Sequence, residues 1–138
     1  MIKLYPKNPI IPILHGDFPE GYQSITITKE DVIDTIRRLY NGSAAGPSGI
    51  SADYVKQMVD NEFFILTLVN TFNSLLNHPL DTIKLIPELF EYRAIFIQKP
   101  SGGLRPIAIQ ETILNVLHRV LLRMIQKDVF SEQMALEK

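Results

Sequence analysis

The feature that most constrains this chain is a single change of hydrophobic period. Over most of its length apolar residues recur at three- and four-residue spacing, which predicts helices. Between Arg93 and Ile109, in RAIFIQKPSGGLRPIAI, two β-rich arms instead flank a tip of Pro100, Ser101, Gly102 and Gly103. That pattern predicts a β-hairpin. One hairpin in a helical chain cannot build a large sheet, so the expected fold class is α+β: a mostly helical domain with one β-hairpin at about 93–109 and a long C-terminal helix.

Composition enters as a bound on size and class. The 138 residues are 46% hydrophobic and 21% charged, enough to bury roughly two-thirds of the unfolded surface in a core. Wholesale disorder is excluded. The absence of cysteine rules out a disulfide scaffold, a thiol nucleophile and a Cys-type zinc site. No apolar run approaches the ~18 residues of a membrane-spanning helix, and the stretch from Ile10 to Leu14 is broken by Pro9 and Pro12. The expected location is intracellular, with nucleus and cytoplasm not distinguished, and no membrane partner is expected.

Residues 1–27 carry Pro6, Pro9, Pro12 and Pro19 with Gly16 and Gly21, which predicts an extended arm rather than a helix. The remainder, 28–138, reads as one domain. Thr28 with Asp31 suggests a capping box, opening a helix that runs to about Asn41. GSAAGPSGIS, Gly42 to Ser51, is a loop, after which Ser51 can cap a short helix. From Glu62 to His78 the apolar residues leave little polar face, predicting a mostly buried helix at the centre of the core. A weaker helical segment follows Pro79. The last helix, from about Glu111 to Phe130, carries Arg119, Arg123 and Lys127 at i, i+4 and i+8 as a basic outer edge.

Charge is unevenly spread. The whole chain is −1, yet from Arg93 to Lys127 six cations face one anion, Glu111, giving +5 there and −6 elsewhere. One end could attract a polyanion.

Several familiar sites are absent. The Gly42–Ser51 loop lacks the Lys-Ser/Thr of a phosphate-binding Walker loop, since Ile50 follows Gly49. Ser48 sits in GPSGI rather than G-x-S-x-G, so the hydrolase nucleophile elbow is missing too. His15, His78 and His118 are far apart, without a second ligand at helical spacing, and receive no chemistry. No catalytic residue and no metal site is assigned.

The hairpin tip is the segment that keeps a chemical reading. If its turn is a three-residue loop at Ser101 to Gly103, Pro100 opposes Leu104 and Lys99 pairs with Arg105 on one face. Two adjacent cations are unfavourable unless an anion such as phosphate bridges them. A two-residue loop would put them on opposite faces. The ordinary alternative is a charged tip that keeps a strand edge soluble.

Two motifs, in this order, resemble the start of a reverse transcriptase of the non-LTR retroelement and group II intron type. GSAAGPSGIS is similar to the family's A-x-G-P-(D/S)-G-(I/L) segment, and IFIQKPSGGLRPIAI, Ile95 to Ile109, to its I-x-K-P-x-G-G-x-R-P-I hairpin, followed by a long helix. The resemblance spans about Thr28 to Phe130, the fingers of such an RNA-directed DNA polymerase. It implies that Lys99 and Arg105 fold over the incoming nucleoside triphosphate. Gly46, Pro47, Gly49, Gly102 and Gly103 would be the structural loop positions. Family members often carry Asp where this chain has Ser48, so no role resting on a carboxylate there carries over.

Arg93 matches a basic position before the hairpin, but six residues of strand span ~20 Å, too far to share a phosphate with Lys99. Arg93 is therefore a candidate template contact, and Arg119, Arg123 and Lys127 are further candidates from the basic edge of the last helix. The implied partners are an RNA template, a DNA primer, a nucleoside triphosphate and the palm and thumb of the parent polymerase. Magnesium is expected only in that palm, where metals stabilise the attacking and leaving oxygens, and no cofactor is expected in this chain. The sequence contains no Asp-Asp pair, and the stretch from Asp128 to Lys138 is too short for the palm sheet, so DNA synthesis by this chain alone is not expected. A second reading, from a different class, is a domesticated descendant acting as a protein-interaction or oligomerisation module, with a homo-oligomer as its partner.

Overall fold

The computed structural model describes residues 25–136. The extended arm expected at residues 1–27 lies outside them except for its last three residues. Of those, Ile27 is buried, and the Asn73 side-chain amide holds its backbone at both ends: Ile27 N–H donates to Asn73 Oδ1 at 2.8 Å, and Asn73 Nδ2 donates to Ile27 O at 3.0 Å.

The α+β architecture is as expected. In chain order come α1 (Lys29–Arg37), α2 (Ala52–Gln57), α3 (Glu62–Asn77), α4 (Pro79–Leu85), a 3₁₀ turn (Pro87–Phe90), β1 (Tyr92–Gln98), β2 (Leu104–Gln110) and α5 (Thr112–Leu136). Each of the first three helices starts on a side chain that satisfies an otherwise orphaned amide. Thr28 Oγ1 accepts from Asp31 N–H while Asp31 Oδ2 accepts from Thr28 N–H, completing the capping box. Ser51 caps α2 through Tyr54 N–H, and Asn61 caps α3 through Phe64 N–H.

Expectations for three helices change. The first helix ends at Arg37, not near Asn41, because the amides of Arg38 and Leu39 bond three residues back, to Thr35 and Ile36. That tightened turn swings Leu39 into the core and leaves Tyr40 exposed. The long apolar helix α3 is also less enclosed than its composition suggests. Its buried residues, Ile65, Leu68, Phe72 and Leu75, form one stripe at three- and four-residue spacing against α1 and α4, while Phe63 is 81% exposed.

The core gathers Val32 and Ile36 of α1, Val55 of α2, Phe72 and Ile65 of α3, Leu89 of the 3₁₀ turn, and Val116, Leu117 and Val120 of α5. Each such side chain contributes about 1.5–3 kcal/mol by leaving water. Only the first half of α5 joins this core. The helix continues past the expected end at Phe130 to Leu136, and Leu122, Ile125, Val129 and Phe130 are exposed. Among the described residues no helix is long and apolar enough to cross a membrane.

The hairpin stands off this body. β1 and β2 pair antiparallel from Tyr92↔Gln110 to Gln98↔Leu104, and only Ile95, Ile107, Ile109 and Gln110 are partly shielded. Its root is therefore fixed and its tip lies in solvent.

Candidate functional site

The tip register is set by a turn that starts one residue earlier than the spacing suggested. Gly102 N–H donates to Lys99 O at 3.1 Å, and Lys99 N–H to Gly103 O at 3.0 Å, so the three-residue loop is Pro100–Gly102. Proline explains the shift: its fixed φ suits the second position of a four-residue turn, which places Lys99 first. Gly102 and Gly103 follow with φ of +92° and +86°, conformations that L side chains rarely adopt.

The expected Lys99–Arg105 pairing is corrected accordingly. Arg105 opposes Ile97, and Lys99 opposes Gly103 through that backbone bond. Alternation keeps Lys99, Ile97 and Arg105 on one face, so the two cations are diagonal neighbours, about 7–8 Å apart at the backbone rather than directly opposed. The diagonal lowers their repulsion and leaves them within reach of a common polyphosphate. Both are exposed, and among the described residues neither meets a carboxylate. No acidic residue occurs between Glu91 and Glu111.

The loop motif, remote from it in sequence, packs on the hairpin's root. Gly46 lies so close to the end of β2 that a Cβ there would stand 2.7 Å from Gln110 O and 2.9 Å from Glu111 Cα. Nothing larger than glycine fits against that backbone. The loop turns through Gly49, whose N–H donates to Gly46 O and whose φ is +80°. Glu111, 5% exposed, accepts from Ser48 N–H at 2.8 Å and Ser48 Oγ at 2.6 Å, while Thr112 Oγ1 donates to Ile50 O at 2.7 Å. Glu111 O in turn accepts the Asn115 N–H at the start of α5.

Glu111 is the residue that sequence reasoning missed, having entered only as one negative charge and as the start of the last helix. The available signal was its place at the strand-to-helix junction, where a carboxylate is favoured beside the free amides of a helix start. Pro47 is exposed beside it and flanks the Gly46 contact.

The basic residues separate into two groups. Arg93 opposes Ile109 at the root, at the far end of β1 from Lys99. The expected basic outer edge of α5 is corrected: only Lys127 is exposed, whereas Arg119 and Arg123 are half-buried beside α1. The Arg119 guanidinium carbon lies 5.9 Å from the centroid of the Tyr40 ring, and Arg123 Nη1 donates to Thr35 Oγ1 at 3.3 Å. Among the histidines, His118 shares a 3.3 Å contact with the Gln110 amide, His78 makes no side-chain cap, and His15 lies outside the described residues. Among the described residues no group of three His, Cys, Asp or Glu is arranged to hold a metal ion.

Comparison with family models, curated proteins and solved structures returns no match.

Proposed function

We propose that this chain is the fingers part of an RNA-directed DNA polymerase of the retroelement type, with Lys99 and Arg105 closing on the triphosphate of the incoming nucleotide. The observation that carries the reading is the tip itself: two exposed cations on one face, diagonal across a Pro-Ser-Gly-Gly turn, with no carboxylate beside them among the described residues. Phosphate oxygens are the natural bridge for ammonium and guanidinium groups so placed. The packing of the Gly46–Ser51 loop on the hairpin's root supports it, because the two motifs that resemble the family form one unit. Arg93 and Lys127 serve as template contacts under this reading. The metal-dependent chemistry belongs to a palm, which would join this domain through the exposed apolar end of α5.

The test is binding of a deoxynucleoside triphosphate and of an RNA–DNA primer-template, followed against salt. Affinity should fall steeply with salt, as charge neutralisation requires, and the double variant Lys99→Ala/Arg105→Ala should lose triphosphate binding. Equal binding by that variant rejects the assignment.

The exposed Tyr92, Phe96 and Leu104 on the other hairpin face, with Leu122 and Ile125 on α5, favour a second reading as a protein-interaction or oligomerisation module. Sedimentation separates the two: a tight dimer without salt-dependent nucleic-acid affinity supports the module.

A further inference from the structure

A second cluster of cations lies on the body of the domain, away from the tip. Arg38 at the end of α1 and Arg119 and Arg123 of α5 line one small hollow of about 140 Å³, with Thr35 and Leu122 completing the wall. Arg119 also lines an adjoining cavity of about 240 Å³, where Tyr40, Gln110 and Asn115 are among its neighbours. Among the described residues no carboxylate lines either cavity. Among the described residues none of the three arginines forms a salt bridge.

Arg38 is exposed and Arg119 and Arg123 are half-buried, so the three guanidinium groups around one hollow make it attractive to an anion. The carbonyl end of α1 supplies about half an elementary negative charge, against three positive ones. Thr35 takes one hydrogen bond from Arg123 and the Tyr40 ring covers part of Arg119, but Arg119 Nε is buried and meets no hydrogen-bond acceptor among the described residues. A buried donor left in that state is costly, and Arg119 lines both hollows, where a ligand can bring acceptors to its guanidinium. An anion with several oxygens in fork geometry meets the deficit of charge and of acceptors together.

We infer that Arg38, Arg119 and Arg123 form a phosphate-binding site between α1 and α5, with the adjoining cavity beside Tyr40 taking the sugar or base attached to that phosphate. The open face of Tyr40, which is 74% exposed, offers a stacking surface, and the Asn115 and Gln110 amides offer edges for hydrogen bonding. The inference is independent of triphosphate binding at the tip and rests on the polymerase reading only for the source of the phosphate. A phosphodiester of a nucleic-acid strand and the phosphomonoester of a free nucleotide present the same chemistry.

The test uses the whole chain and two probes, uridine 5′-monophosphate and a uridine decanucleotide without a terminal phosphate, each titrated while the Arg119 Nε–H resonance is followed by NMR. A saturable shift with the oligonucleotide assigns the site to a strand, and one with the mononucleotide alone assigns it to a free nucleotide. Both outcomes support the site. Arg119→Gln should weaken the response of the Ser43, Gln110 and Asn115 amides by about tenfold or more, whereas Lys99→Ala/Arg105→Ala should leave it in place. No movement of the Arg119 resonance with either probe in the unmodified chain overturns the site, whatever the tip binds, and so does an undiminished response in a folded Arg119→Gln protein.

Discussion

The Glu111 carboxylate accepts two hydrogen bonds from Ser48, one from its amide at 2.8 Å and one from its hydroxyl at 2.6 Å, joining residues 63 positions apart. Both donors come from the one residue, and the carboxylate they meet is buried. This clasp holds the small-residue loop against the junction of β2 and α5.

Ser48→Ala removes the hydroxyl's bond to the Glu111 carboxylate and the one it accepts from Ile50 N–H, and should cost about 1.5–3 kcal/mol. Ser48→Asp should cost more, because it sets a second carboxylate where a donor stood. Urea unfolding of both variants measures the difference. Glu111→Gln added to Ser48→Asp should recover part of the loss, since the amide can donate; no recovery would place the damage elsewhere.

Gly46→Ala should be among the most damaging changes outside the core. Its Cβ would meet Gln110 O at 2.7 Å, and backbone cannot turn aside as a side chain can. A loss of about 1–3 kcal/mol or more is expected, read as a lowered thermal midpoint. Gly42→Ala has open space around its Cβ and serves as the comparison, carrying only the strain of its positive φ.

Lys99→Ala and Arg105→Ala should each weaken triphosphate binding by about ten- to a hundredfold, the loss of one charge-assisted contact. Thermal stability should stay unchanged, because neither side chain has a partner to lose among the described residues. Calorimetric titration beside a thermal melt checks both halves of the statement.

Gly103→Ala should loosen the tip without unfolding the domain. An L residue held at φ near +86° costs about 1–2 kcal/mol, and that strain falls on a hairpin outside the core. Hydrogen exchange should speed up at Lys99 and Gly102, whose amides close the turn, while the α3 amides near Phe72 stay protected.

Much of the fold was legible because its signals are local. Thr28 with Asp31, and Ser51 before Ala52, announce helix starts within four residues, and the alternation around Gly102 and Gly103 announces the hairpin. The register slipped by one because the spacing placed the glycines but not the residue that opens the turn. Pro100 does that, and its preference for the second turn position was the cue to weigh. The exposed side of α3 was hidden for a different reason: helical spacing marks an apolar face but not how many neighbours arrive to cover it. The partial burial of Arg119 and Arg123 was equally out of reach, since it depends on where α1 ends and how Tyr40 then turns. The Ser48–Glu111 clasp is a long-range contact between unlike elements, and no local pattern encodes it.

Because the Gly46 backbone seats directly on Gln110, the arm bearing Lys99 and Arg105 springs from a shoulder built backbone on backbone. Its pitch is dictated by a joint with no side chain to yield. A worn joint would betray itself far from where the wear occurred, as a fingertip that points elsewhere.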